Sequence, residues 1–239
     1  MRPYRVIFFD LDHTLVDTNR QHQLSLQRTV QTLYGGQVPQ DFIPRLLRHH
    51  DALWKQYDER IISMQELRRQ RFLRTWRDYG VERTDDEADV FNQLYMDAVE
   101  EALFAFPGTL AMLANLAADH QLGIITNGSP DLQWRKMQAT GISKYIPESA
   151  LIISEHVGAA KPHPSVYAAA CAALSVAHGE ALMVGDNYAA DVAGAEACGL
   201  DALWYVPDAG MPHRLGERTA YRTAEEVVLA IRERELARP

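Results

Sequence analysis

The sequence predicts an α/β fold, a parallel sheet covered on both faces by helices, with an all-helical domain inserted after the first strand. Three observations carry this expectation. Short runs of strand formers alternate with helical segments from residue 107 onward, several of those runs end in polar residues, and residues 19–106 show helical periodicity without an obvious strand. The run Val6-Ile7-Phe8-Phe9 is too short for a helix and leads straight into Asp10, so it reads as a buried strand. Within the insert the clearest helix puts Ile43, Leu46, Leu47, His50, Leu53, Trp54 and Tyr57 on one face. Ser63 with Glu66, and Thr84 with Glu87, have the spacing of capping boxes, in which each side chain satisfies an orphaned amide at a helix start. Pro107-Gly108 then punctuates the return to alternation. A helix to about Ala118 is followed by a strand through Gly123 to Thr126 and a helix ending before Gly141. A strand at Ala150 to Ser154, a helix from about Ser165 to Leu174, a strand at Ala181 to Val184, a helix ending at Gly199 and a strand at Ala202 to Val206 complete the run. In such a sheet a ligand binds outside the carboxyl ends of the strands.

Composition narrows the function. With 239 residues the chain can bury a sizeable core, and 47% hydrophobic with 23% charged residues is an ordinary globular balance. There are 24 basic against 32 acidic side chains, a net charge of −8, which offers no general attraction to a nucleic acid polymer or an anionic membrane. Arg2 and Arg5 precede only four apolar residues, too few for a signal peptide or a membrane span. Two cysteines, Cys171 and Cys198, lie in helical segments without metal-ligand spacing and suit reduced thiols in a cytoplasmic protein.

Four strand ends carry unusual chemistry: Asp10-Leu11-Asp12-His13-Thr14, Thr126-Asn127-Gly128, Lys161-Pro162, and Gly185-Asp186-Asn187 running on to Asp191. Taken singly, each is the sort of sequence that caps a helix or makes a turn. If Asp10, Asp12 and Asp186 meet at the sheet edge, each carboxylate pair at ~4 Å repels by roughly 4 kcal/mol at an effective dielectric of about 20, so the cluster calls for cations. Lys161 supplies one, and a hard divalent ion that takes oxygen ligands suits the rest.

In order and position the four motifs resemble those of the haloacid dehalogenase-like hydrolase superfamily, specifically its phosphatases, and the helical insert resembles that family's cap. The resemblance implies a doubly wound, Rossmann-like core of residues 1–18 and 107–239 with an all-helical cap of residues 19–106, hinged near Asp17 to Asn19 and Phe106 to Gly108. It implies a Mg2+-dependent phosphatase in which Asp10 attacks phosphorus to give an aspartyl-phosphate. Asp12 would serve as acid and base, with its backbone carbonyl facing the metal. Thr126 and the amide of Asn127 would hold the phosphoryl group, Lys161 would neutralise charge, and Thr14 would stand among the substrate-binding residues while ordering the loop. Asp186 would ligate the metal beside Asp10, and Asp191 would act through water or by orienting Lys161. His13 departs from the glycine that many relatives have there.

Outside those motifs, Trp54, Tyr57, Phe72 and Trp76 are expected in the core of the insert, and Arg60, Arg68, Arg69, Arg71, Arg74 and Arg77 on a solvated helical face. The implied partner is a small phosphorylated metabolite, met by a monomer or homodimer. The Thr-Asn-Gly form of the second motif resembles the branch containing pyrimidine nucleotidases and acylneuraminate phosphatases, which places nucleoside monophosphates first and sugar phosphates second. The alternatives are a 2-haloacid dehalogenase, against which Asp12 argues, a phosphomutase using the same residues, and a non-catalytic binding protein on the same fold.

Overall fold

The computed structural model describes residues 3–238; Met1, Arg2 and Pro239, at the outer limits of the expected core segments, lie outside the described residues. The chain divides into two compact units, one formed by the segments up to Thr18 and from Phe104 onward, the other by Asn19–Leu103. No described helix is long and apolar enough to cross a membrane.

Strand β1 (Val6–Phe9) opens the first unit, and the chain then passes into α1 (Thr18–Tyr34), α2 (Phe42–Asp58), α3 (Met64–Arg77) and α4 (Asp85–Val99). None of the described residues of the second unit forms a strand. Both capping boxes are present: Ser63 and Thr84 accept from the backbone amides of Glu66 and Glu87, whose carboxylates accept in return from the capping residues' own amides. Along α2 the buried residues are Phe42, Leu46, His50 and Leu53, the three-and-four spacing of a single helical stripe. Phe72 and Trp76 are buried beneath α3, while Trp54 and Tyr57 are half-buried.

One expectation about α3 fails. Arg71 is buried rather than solvated: its guanidinium lies over the Tyr95 ring at 4.6 Å and donates to Asn92 Oδ1 at 2.8 Å. The aromatic face and the amide oxygen replace the water that a solvated arginine would keep. Arg69, by contrast, reaches exposed partners, with Asp85 at 3.0 Å and Asp89 at 2.5 Å.

The first unit resumes with α5 (Thr109–Leu116), β2 (Gln121–Thr126), α6 (Pro130–Thr140), β3 (Leu151–Ile153), the short α7 (Ser154–Val157) and α8 (Pro164–Ala173). Strand β4 (Ala181–Gly185) follows, then a π-helical turn (Tyr188–Ala193) continuing into α9 (Gly194–Ala197), and β5 (Asp201–Trp204). A small hairpin of β6 (Arg214–Leu215) and β7 (Arg218–Thr219) precedes α10 (Ala224–Ala237). The strands pair in parallel in the order β3-β2-β1-β4-β5. A sheet enclosed on both faces must carry side chains that tolerate burial in either direction, and Ile7, Phe8, Phe9, Leu182, Met183 and Val184 are all fully buried.

The order matters for the site. Strands β1, β2 and β3 step outward in one direction and the chain then returns to lay β4 on the other side of β1, so the direction of winding reverses between β1 and β4. A crevice forms at the carboxyl ends of strands where winding reverses. Nearby, the outgoing and returning segments run side by side: Val16 bridges Ala105 antiparallel, Asp17 N donates to Phe104 O at 2.9 Å, and Phe106 N donates to Leu15 O at 3.0 Å.

Candidate active site

Asp10 and Asp186 sit at that reversal. Phe9 pairs with Val184 across the β1–β4 ladder and Asp10 N donates to Val184 O at 2.9 Å, so the two chains leave the sheet together. Thr14 fixes the turn that follows. Its hydroxyl accepts from Asp186 N at 3.0 Å and donates to Asp186 Oδ1 at 3.1 Å. Thr14 is fully buried and its single hydroxyl hydrogen goes to Asp186, which tethers the two loops to each other. His13 takes φ +63°, left-handed backbone that glycine enters without a steric cost.

Lys161 lies at the centre of the buried charges. Its Nζ donates to Asp10 Oδ1, Asp191 Oδ1 and the Ile125 carbonyl, each at 2.7 Å, which uses all three ammonium hydrogens. Asn127 holds the Lys161 backbone from the other side, accepting from Lys161 N at 2.8 Å and donating to Lys161 O at 3.1 Å. Asp191 reaches the lysine from the π-helical turn, whose start is capped by Asn187 accepting from Ala189 N and Ala190 N. A glycine at position 185 makes this possible, since a Cβ there would lie 2.3 Å from the Asp191 carboxyl carbon.

The carboxylate of Asp12 has different company. Oδ1 accepts from Thr18 Oγ1 at 2.7 Å and from Lys136 Nζ, and Oδ2 accepts from Gln133 Nε2 at 2.8 Å. Gln133 Nε2 also donates to Thr126 Oγ1 at 2.7 Å. Lys136 and Gln133 both come from α6 and were not among the residues expected from sequence. The signal available was their spacing: three apart on a helix that begins just after Thr126-Asn127-Gly128, they share the face turned toward the strand ends.

Two electrostatic regimes result. Burial pushes the Asp10 carboxyl up to about 7; Lys161 opposes this, while Asp191 and Asp12 reinforce it. Burial, then the charges of Asp10 and Asp191, push Asp186 well above the ordinary carboxylate range. Burial also works upward on Asp12, but the Lys136 charge and the hydrogen bonds from Lys136 and Gln133 outweigh it and hold Asp12 below that range. Burial works downward on Lys161, yet Asp10 and Asp191 carry it well above the usual lysine value, so it stays charged.

Asp10, Asp186 and Asp191 each bring a carboxylate oxygen within 4.8 Å of the others. This is an all-oxygen set in which burial, and then neighbouring carboxylates, push Asp10 and Asp186 toward protonation; it is short of positive charge, and its donors suit a hard divalent cation such as Mg2+. Asp191 already serves Lys161 and accepts from Asn187 N at 3.0 Å. The Asp12 carboxylate is not one of this group; it is engaged by Thr18, Gln133 and Lys136.

A family model for haloacid dehalogenase-like hydrolases matches residues 4–199. The chain belongs to that family. This haloacid dehalogenase-like hydrolase is 29% identical over 208 residues to the glyceraldehyde 3-phosphate phosphatase of Pyrococcus abyssi, covering 84% of this chain and 81% of that protein. It is 31% identical over 199 residues to the pyrimidine 5'-nucleotidase YjjG of Escherichia coli, covering 83% and 84%. Its structure matches magnesium-bound YfnB of Bacillus subtilis with a TM-score of 0.82 at 23% identity, over 97% of this chain and 100% of that one, which is a likeness of fold.

Proposed function

We propose that this hydrolase is a Mg2+-dependent phosphatase of small phosphomonoesters, working through an aspartyl-phosphate on Asp10. The observation that carries the proposal is the division between two neighbouring carboxylates. Asp10 lies against Lys161 and among other acids, whereas Asp12, two residues on, is held apart by Gln133, Thr18 and Lys136. Carboxylates placed in contrasting surroundings can take different parts in one reaction. A dehalogenase has no use for the second acid.

In the first half-reaction the substrate dianion draws Lys136 from Asp12, which takes up a proton from solvent; an Asp10 oxygen then bonds to phosphorus as the ester P–O bond breaks, and Asp12 delivers that proton to the departing alcohol. In the second, Asp12 takes a proton from water, the water oxygen bonds to phosphorus, and Asp10 leaves with the electron pair, releasing inorganic phosphate. Lys136 favours the ionised Asp12 that the second half requires, and an arriving phosphate dianion would compete for that lysine. Lys161 balances charge on Asp10 throughout, with Asp191 and Asn127 orienting it, while Thr126 and the Asn127 amide hold the phosphoryl oxygens. Asp10, Asp186 and the Asp12 carbonyl would hold Mg2+, which when bound neutralises Asp10 and the phosphoryl oxygens.

The proposal gives the helical unit, Asn19–Leu103, the part of a cap that restricts the site to small metabolites, and places the enzyme in the cytoplasm. Nucleoside monophosphates and sugar or triose phosphates are the substrate classes put forward; the named activities of the two relatives support both. The test is phosphate release across these esters and phosphorylated peptides, with Mg2+ or EDTA, ranked by kcat/KM. Undiminished turnover by metal-free protein would remove Mg2+ from the proposal, and a preference for peptides would remove the small-metabolite class.

A further inference from the structure

We propose that Gln133 is a positioning residue that fixes the acid/base carboxylate of Asp12 and the hydroxyl of Thr126 as one unit; this rests on the phosphatase function proposed above. Gln133 is fully buried in the first turn of α6, and its Nε2 donates both hydrogens, one to Asp12 Oδ2 at 2.8 Å and one to Thr126 Oγ1 at 2.7 Å. The amide has one workable orientation there. Turned over, it would set Oε1 against a carboxylate oxygen, so Asp12 itself dictates which end of the amide faces the site.

The polarity of Thr126 follows by counting. Its oxygen accepts from Gln133 Nε2 and also from Gly128 N at 3.0 Å. A hydroxyl has two acceptor lone pairs and one hydrogen, so with both lone pairs engaged Thr126 is left as a donor, the polarity a phosphoryl oxygen needs. The same amide anchors Asp12 Oδ2, setting where the proton is given and taken relative to the oxygen that Thr126 holds. Two further observations agree. Gln133 Oε1 is buried without a partner among the described residues, a cost that an apolar packing residue of similar size would not carry. Gly128 leaves the space the amide occupies: a Cβ at that position would lie 2.1 Å from Gln133 Nε2.

The test compares full-length Gln133→Met, Gln133→Glu and Gly128→Ala with wild type and Asp12→Asn, in Mg2+, on aryl and alkyl phosphates spanning a wide range of leaving-group acidity. A displaced acid matters most when the departing alkoxide is poor and least when it is stable. Gln133→Met is therefore expected to lose roughly tenfold in kcat/KM on p-nitrophenyl phosphate and roughly a hundredfold or more on alkyl phosphates, steepening the leaving-group dependence toward that of Asp12→Asn. Gly128→Ala, which pushes the amide aside without removing it, should steepen it in the same sense and decides the matter if the Gln133 variants do not fold. Variants that fold but show an unchanged slope, whether through uniform loss or none, would overturn the role of Gln133 and leave the phosphatase function standing. A wild-type enzyme inactive on every ester would overturn both.

Discussion

Replacing the proposed nucleophile should make the metal-free protein more stable. In the folded chain the Asp10 carboxyl is pushed from 3.8 up to about 7. At roughly 1.4 kcal/mol per pKa unit, ionised Asp10 at pH 8 costs about 4 kcal/mol relative to the same group in the unfolded chain. The sign follows from the direction of the shift: a raised folded value contributes stability that is complete below about pH 4 and lost as pH rises toward 7. Asp10→Asn removes the charge while its amide oxygen can still accept from Lys161 Nζ. In EDTA at pH 8 the variant should therefore melt higher than wild type, by an upper bound of about 10 °C for a chain of this length, and the difference should vanish near pH 4. Mg2+ should raise the wild-type melting temperature more at pH 8 than at pH 5 and raise that of Asp10→Asn much less. Melts followed by circular dichroism at pH 4, 5, 6, 7 and 8, with EDTA or MgCl2, measure all of this. A variant no more stable than wild type in EDTA at pH 8 would refute the electrostatic reasoning, whatever its activity.

Removing Lys161 acts in the opposite sense: Lys161→Met leaves Asp10 and Asp191 buried without their cation, so a loss of about 3–5 kcal/mol in chemical denaturation is expected at pH 8, shrinking toward pH 5 as Asp10 takes up a proton. A pH-independent loss would instead point to packing. Asp12→Asn should lower kcat/KM for alkyl phosphates by roughly 10²–10⁴. It should also destabilise, because Lys136 is left without its carboxylate; since Asp12 is held below its ordinary range, this loss should be full at neutral pH and fade as pH falls, and equal melting of variant and wild type at pH 7 would contradict the ion pair. His13→Gly should be neutral or stabilising by up to about 1 kcal/mol, because the backbone at that position is left-handed. A clear loss of stability in thermal melts would mean the imidazole contributes packing that outweighs the backbone preference.

The sheet and three of the four strand ends were legible because both depend on local sequence; Lys161 instead lies beyond α7, the short helix that follows β3, and reaches the site from that loop. A buried strand must be an apolar run, and the polar residue that ends it stands out at once, as Asp10 after Val6-Ile7-Phe8-Phe9 does. The strand after Gly199 starts one residue and ends two residues earlier than the apolar run Ala202–Val206 suggests, since neighbouring apolar residues blur its limits. Helix α10 lies beyond the alternating run that predicts the sheet, although Thr223 and Glu226 form the same capping box that marks α3 and α4. Gln133 and Lys136 were missed for a different reason. A polar side chain on an exposed helix and one aimed into a cleft have the same local sequence, and only the sheet brings α6 against the loop after β1. Arg71 shows the converse: charge patterning places an arginine on a solvent face, and it takes Tyr95 and Asn92, some twenty residues away, to bury it.

The bridge between Val16 and Ala105 has a consequence for how such an enzyme diversifies. Facing residues of an antiparallel pair lie only about 5 Å apart, so the excursion that begins after Asp17 returns almost to its starting point. The sheet is thus topologically indifferent to the length of what is spliced between those two positions, provided that Thr18, whose hydroxyl donates to Asp12, is kept at the start of the insert. A different module could be grafted beyond Thr18 without moving β1 or the loops that carry Thr126, Lys161 and Asp186. The strand-end loops and the helical unit are encoded by separable stretches of the gene, and recombination at this junction can exchange one while conserving the other.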